Sequence, residues 1–170
     1  MSRRNSPRTR SFCKDLSFAL PHSIKINRGK MSLNDLHLIS LQNKCDRVLI
    51  VSTAKGNPRS ITFYYVDEKE LIQINPRLYI VGVKLMFETL NVKRIKPSDI
   101  VICSSEELLQ PAIILSKLLN CRVVSDADVK FLSNTISIVS LSSVEDGYYN
   151  ISFTNSLGDI IGPTMRVKFI

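Results

Sequence analysis

Two histidines and four scattered cysteines are all that this 170-residue chain has of the side chains that most often hold metals or attack substrates. Cys13, Cys45, Cys103 and Cys121 never form a C-x-x-C pair, and His22 and His37 do not complete metal-ligand spacing, so no metal site is expected. Each cysteine sits among apolar residues and reads as a small buried hydrophobe, with a disulfide left open because sequence does not give connectivity. A nucleophile needs a base and an orienting acid beside it. With only two histidines, and His37 on the polar or boundary side of a helix, no catalytic residues are expected and the chain does not read as an enzyme. The phosphate-cradling patterns GxxxxGK[ST] and GxGxxG after a strand are both missing, so neither a cofactor nor a small-molecule substrate is expected. No apolar run approaches the roughly 20 residues that span a bilayer, and the arginine-rich start lacks the apolar stretch of a secretory signal. A soluble, intracellular protein is expected, cytoplasmic, or nucleolar if the source is eukaryotic.

What the chain does have is a core and a lopsided charge. At 44% hydrophobic and 22% charged residues, its length suits one globular domain. The net charge is +8, and its distribution says more than its size. Residues 1–60 hold twelve Lys or Arg against three Asp, a net of +9, and the other 110 residues hold eleven basic against twelve acidic side chains, a net of −1. All of the excess lies in the first third, the footprint of a surface built for a polyanion. Composition leaves nucleic acid and an acidic membrane both open, since "RTRSFCKDLSFAL" could form an amphipathic helix with Phe12, Leu16 and Phe18.

Residues 1–10, "MSRRNSPRTR", predict a flexible basic arm carrying Arg3, Arg4, Arg8 and Arg10. Ser11 can cap a helix with Phe12, Leu16 and Ala19 or Leu20 at helical spacing, ended by Pro21, which projects Lys14 beside the arm. "SIKIN" predicts a short strand with Ile24 and Ile26 on one face. Ser32 then opens a helix to about Lys44, with Asp35 completing a variant of the capping box. "RVLIVS" reads as a buried strand, "AKGNPRS" as a turn flanked by Lys55 and Arg59, and "ITFYYV" and "YIVGVKLM" as further strands.

The order of elements then recurs. "DIVICS", "SEELLQPAIILSKLLN" and "CRVVS" predict strand, helix and strand, as "SIKIN", "SLNDLHLISLQNK" and "CDRVLIVS" did, and "TISIVSL", "YYNISFT" and "TMRVKFI" follow as strands. Pro111 predicts a kink or a helix start near Gln110. The expectation is an α/β fold, a duplicated module with mixed sheets in one domain, 1–170, with an N-terminal half, 11–97, and a C-terminal half, 98–170.

The basic clusters are the candidates for function. In "INRGKMS" a glycine turn at Gly29 exposes backbone amides, Arg28 and Lys30 add charge, and Ser32 starts a helix whose N-terminus favours anions. Together with the arginine arm and with Lys55 and Arg59, this predicts a phosphate-binding surface.

"NSPRTRSFCKDLSFALP", "INRGKMSLNDL", "CDRVLIVSTAKGNPRSITF" and "LGDIIGPTMRVKFI" together resemble the Brix-domain superfamily of ribosome-biogenesis proteins, in particular its short archaeal members and the related small-subunit pre-rRNA-processing branch. The likeness is close over most of residues 3–63 and mainly one of pattern from Val66 to Leu157. It implies two halves, each like a class II aminoacyl-tRNA synthetase anticodon-binding domain. It also implies binding to ribosomal RNA precursors during subunit assembly, without catalysis. By position it carries over Arg8, Arg10, Lys14, Arg28, Lys30 and Lys55. The family's arginine after "IGP" is Thr164 here, with Arg166 two residues on, which puts a contact at Thr164 in doubt. Other assembly factors or ribosomal proteins are further expected partners, and a membrane is not. Two alternatives stand beside this reading: a protein-interaction adaptor in pre-ribosomal particles, and a tRNA-binding accessory domain.

Overall fold

Ser6 starts the first helix. Its side chain accepts from the Thr9 amide at 3.1 Å and Pro7 takes the first helical position, where its fixed φ suits a helix and its missing N–H costs nothing. Helix α1, Pro7–Ala19, therefore begins four residues before the expected cap at Ser11, and Arg8 and Arg10 belong to a helix rather than to an arm. The computed structural model describes residues 6–89, 92 and 96–170; Arg3 and Arg4 lie outside the described residues.

Helix α2, Leu33–Gln42, has the expected cap: the Ser32 hydroxyl accepts from the Asp35 amide, and the Asp35 carboxylate accepts from the Ser32 amide at 2.8 Å. Three antiparallel strands follow, β1 Arg47–Ala54, β2 Asn57–Val66 and β3 Leu71–Lys84. Next come β4 Asp99–Ser104, α3 Leu109–Leu119 and β5 Arg122–Ser125, then β6 Ile136–Val144, β7 Tyr148–Thr154 and β8 Thr164–Phe169. Pro111 sits in the first turn of α3, where no intrahelical N–H is needed, so the helix starts at Leu109.

All eight strands form one mixed sheet in the order β1-β2-β3-β8-β7-β6-β4-β5, parallel where β4 meets β5 and β6. The α/β class is as expected, but one sheet replaces the expected pair of mixed sheets. What recurs is an antiparallel meander, β1-β2-β3 and β6-β7-β8, joined through β3 and β8. The parallel strand-helix-strand unit occurs only once among the described residues, because "SIKIN" is not a strand: Ile24 and Ile26 are 56% and 43% exposed. Two apolar residues make too short an alternation to hold an edge. With no strand on that side, β1 is the sheet edge and only half-buried, not the buried strand that "RVLIVS" suggested.

Phe12, Leu16 and Ala19 of α1 and Ala112, Leu115 and Leu118 of α3 share one core with the alternate strand residues Ile61, Leu78, Ile80, Ile102, Val139, Phe153 and Val167. Both helices thus cover the same face of the sheet. Gly162 is a close approach in this packing: a Cβ there would lie 2.6 Å from the Ala19 Cβ and 2.8 Å from the Phe153 Cβ. His37 is buried rather than at a boundary, with Nε2 2.7 Å from the Asp67 carbonyl.

Candidate nucleic-acid interface

The β1–β2 connection is a two-residue turn in which Lys55 and Gly56 both have positive φ, 48° and 82°, the conformation that matches strand twist. Just past it the ladder slips. Ser52 pairs with Ser60 but Thr53 with Pro58, so Arg59 is an extra residue on β2. A second slip on β3 leaves Val81 unmatched, since Ile80 pairs with Val167 and Gly82 with Arg166. Bulges bend strands and end pairing. Between them β2 leaves β3: their register stops at Ser60 opposite Tyr79.

The result is a cleft of about 420 Å³ at the splayed end of the sheet, lined by Arg8, Ala54, Lys55, Asn57, Pro58 and Arg59 on one side and Ile80–Val83 on the other. Three of the expected cations, Arg8, Lys55 and Arg59, are brought together here from two segments about fifty residues apart. The helix start is tied to the turn through Ser6, which donates to the Gly56 carbonyl at 2.5 Å, and through a 3.0 Å bond from Thr53 to the buried Thr9. Arg59 lies over the Tyr79 ring, 4.1 Å from its centroid.

Arg8 is the least available of the three. Its guanidinium donates to both Glu88 oxygens, at 2.5 and 3.1 Å, and to the Val83 carbonyl at 3.0 Å. That guanidinium first, and the Leu85 amide second, hold the Glu88 carboxyl below its ordinary range. Arg8 therefore fixes the wall of the cleft. Arg10 and Lys14 are exposed and four residues apart, on one face of α1.

The "NRGK" turn does not line this cleft. Arg28 and Met31 close a turn with a 2.9 Å backbone bond, Gly29 takes φ 53°, and Arg28 Nε donates to the Met31 carbonyl. The N-terminus of α2 is filled by its own Asp35, whose pKa is lowered by the bonds from Ser32, backbone first. The Asp35 carboxylate thus sets a negative charge at the start of α2, against an anion approaching there. Lys30 remains exposed.

Sequence reasoning missed Tyr79, Tyr148 and Lys168. Lys168 pairs in register with Tyr79, and its ammonium lies 5.3 Å from the Tyr148 ring centroid. Alternation along "TMRVKFI" marks Lys168 as facing away from the core, but only the strand order puts it beside those rings.

The four cysteines are half-buried and free, without a disulfide. Burial, then Asp126, which accepts the thiol hydrogen at 2.8 Å, pushes Cys103 up to about 12; burial, then Asp99, does the same to Cys121. Both stay protonated at neutral pH and are poor nucleophiles. No group of three metal-binding side chains occurs among the described residues, and no helix there is long and apolar enough to cross a membrane.

A mixed α/β domain with a cationic cleft at a splayed sheet end is the class of structure these observations define. Comparison with known proteins gives the relatives. No family model matches the chain. It is 29% identical to a probable Brix domain-containing ribosomal biogenesis protein of Pyrococcus horikoshii over 98% of this chain and 80% of that protein. To the protein of the same description from Thermococcus kodakarensis it is 39% identical over 87 residues, 51% of this chain and 41% of the relative. The crystal structure of a probable ribosomal biogenesis protein from Aeropyrum pernix superposes with a TM-score of 0.80 at 25% identity, over 98% of this chain and 92% of that one. The chain is thus similar, over nearly its whole length, to Brix domain-containing ribosomal biogenesis proteins, the resemblance that its motifs suggested. The Thermococcus match spans about two fifths of that relative's length.

Proposed function

We propose that the protein acts in ribosome biogenesis by binding ribosomal RNA precursors, neutralising backbone phosphates with the cleft cations Lys55 and Arg59 and with the exposed Arg10, Lys14 and Lys30 around them. The observation that carries this is the convergence of Arg8, Lys55 and Arg59 on one cleft in a chain whose whole charge excess lies before residue 61. Gly56 shapes the turn that presents Lys55, and Arg8 holds the opposite wall through Val83. The relatives' description as ribosomal biogenesis proteins supports the cellular role. Phosphate contacts position the RNA and carry no base information. The role is non-catalytic, Arg3 and Arg4 are further proposed contacts, and other assembly factors are the proposed protein partners.

A second reading, an adaptor within pre-ribosomal particles, is supported by the exposed Ile24, Ile26, Leu33, Leu38 and Leu41 along the segment before α2 and on α2 itself. The test is titration of the purified chain with pre-rRNA fragments over a range of salt. Phosphate binding requires log Kd to change linearly with log salt, with a slope of about one unit for each neutralised phosphate. Absence of RNA binding, or binding indifferent to salt, would overturn the RNA reading and leave the adaptor.

A further inference from the structure

The cleft has a continuation that no cation count reveals. On the sheet face opposite α1 and α3, Ser60, Tyr79 and Lys168 stand side by side on β2, β3 and β8 in register, and Lys168 reaches the ring of Tyr148 on β7. Arg59 belongs to both features: it lines the cleft and lies over Tyr79. The row therefore reads cation, ring, cation, ring, with the rings about 10 Å apart, two strand spacings. Arg166 and Asn150, paired on β8 and β7, make the next row polar and cationic as well. Farther along the same face Val101 and Ile138 are buried, which bounds the patch at β6.

We propose that this face is a stacking platform for unpaired bases of single-stranded RNA, entered from the phosphate cleft at Arg59. The proposal rests on the RNA-binding reading above and deepens it. A tyrosine has only two side-chain torsions to order on binding, and every base has a π-face to lay on its ring. The cations already on the rings gain when RNA arrives: a base takes the ring, and Arg59 and Lys168 move to the phosphates on either side. Duplex RNA presents its backbone but keeps its bases stacked on one another, so it is confined to the cleft.

The experiment compares three probes by fluorescence anisotropy: a short mixed-sequence RNA strand, an abasic strand of equal length and charge, and a duplex. Wild type binds the base-bearing strand more tightly than the abasic one. The double variant Tyr79→Leu with Tyr148→Leu loses at least about fivefold on the base-bearing strand and nothing on the abasic strand, and Tyr79→Phe with Tyr148→Phe binds as wild type. Lys55→Glu weakens all three probes. Unchanged binding of the leucine variant to the base-bearing strand, or equal losses on both strands, overturns the platform while leaving the phosphate cleft. If the leucine variant does not fold, a wild type that fails to distinguish base-bearing from abasic strands overturns it as well. A wild type that binds none of the probes overturns the RNA reading, and the platform with it.

Discussion

Arg8 on α1 and Glu88 in the turn after β3 form a two-pronged ion pair across eighty residues of chain, with donor distances of 2.5 and 3.1 Å. Seven residues along the same helix, Asp15 accepts from the Met86 amide at 2.9 Å, so α1 is fastened to this turn at two levels. The first of these fastenings titrates. Because the Glu88 carboxyl is held below its ordinary value of 4.5, its contribution to stability is fully present above that pH and is lost as pH falls through the folded value. Glu88→Gln should therefore lower the melting temperature at pH 7 and converge with wild type in acid. The pair is partly exposed, so the loss should stay below about 1 kcal/mol. Melting curves of both proteins from pH 3 to pH 7 check this; a constant difference across that range would mean that the carboxylate charge is not what matters.

Gly162 predicts a larger effect from a smaller change. The added methyl of Gly162→Ala would meet the Cβ of Ala19 and the Cβ and Cγ of Phe153 at 2.6 to 3.0 Å, all of them in the core and none at the end of a flexible side chain. Such overpacking costs about 1–3 kcal/mol. Urea unfolding should show the midpoint falling without a change in slope. A companion Ala19→Gly should recover part of the loss, because it removes the nearer of the two contacts.

The contrast between these residues shows what the sequence could reveal. Ser32 and Asp35 were legible as a cap because both partners lie within one helical turn. Likewise the α3 helix could be read because it is long and strongly patterned, and "DIVICS" and "CRVVS" because they are apolar runs that flank it. "SIKIN" failed because alternation over two isoleucines carries no information about whether a strand edge is there to receive it. The start of α1 was hidden by composition: four arginines and a proline look like an arm, while Ser6 and Pro7 in fact cap and open a helix whose Thr9 is bonded to Thr53. At the cleft, Lys55 and Arg59 stood out because they flank a turn. Tyr79, Tyr148 and Lys168 come from distant stretches, and register alone unites them.

Salt dependence separates the two cations of the turn from the helix cap. Lys55→Glu and Arg59→Glu should each weaken binding to pre-rRNA fragments and each lower the slope of log Kd against log salt by about one unit. Arg59 both lines the cleft and stands beside the Tyr79 ring where the strand would leave it, so the loss from Arg59→Glu at a single salt should exceed that of Lys55→Glu. Equal slopes for wild type and both variants would mean that RNA does not meet the cleft.

The "NRGK" turn gives the sharpest ranking. Sequence spacing gave Arg28, Gly29 and Lys30 the leading role, since a glycine turn, two cations and a helix N-terminus converge there. In the folded chain Arg28 Nε is bonded to the Met31 carbonyl, and the Asp35 carboxylate caps the helix, placing a negative charge where the phosphate would go. Lys30→Glu should therefore change the salt slope by less than Lys55→Glu does. Asp35→Ala removes the competing carboxylate, so it should tighten RNA binding at low salt if phosphates approach this turn at all, while lowering the melting temperature through the lost cap. An Asp35→Ala variant that melts earlier yet binds as wild type would confine the interface to the cleft and the sheet face, with "NRGK" a solvated turn that leads the chain into α2.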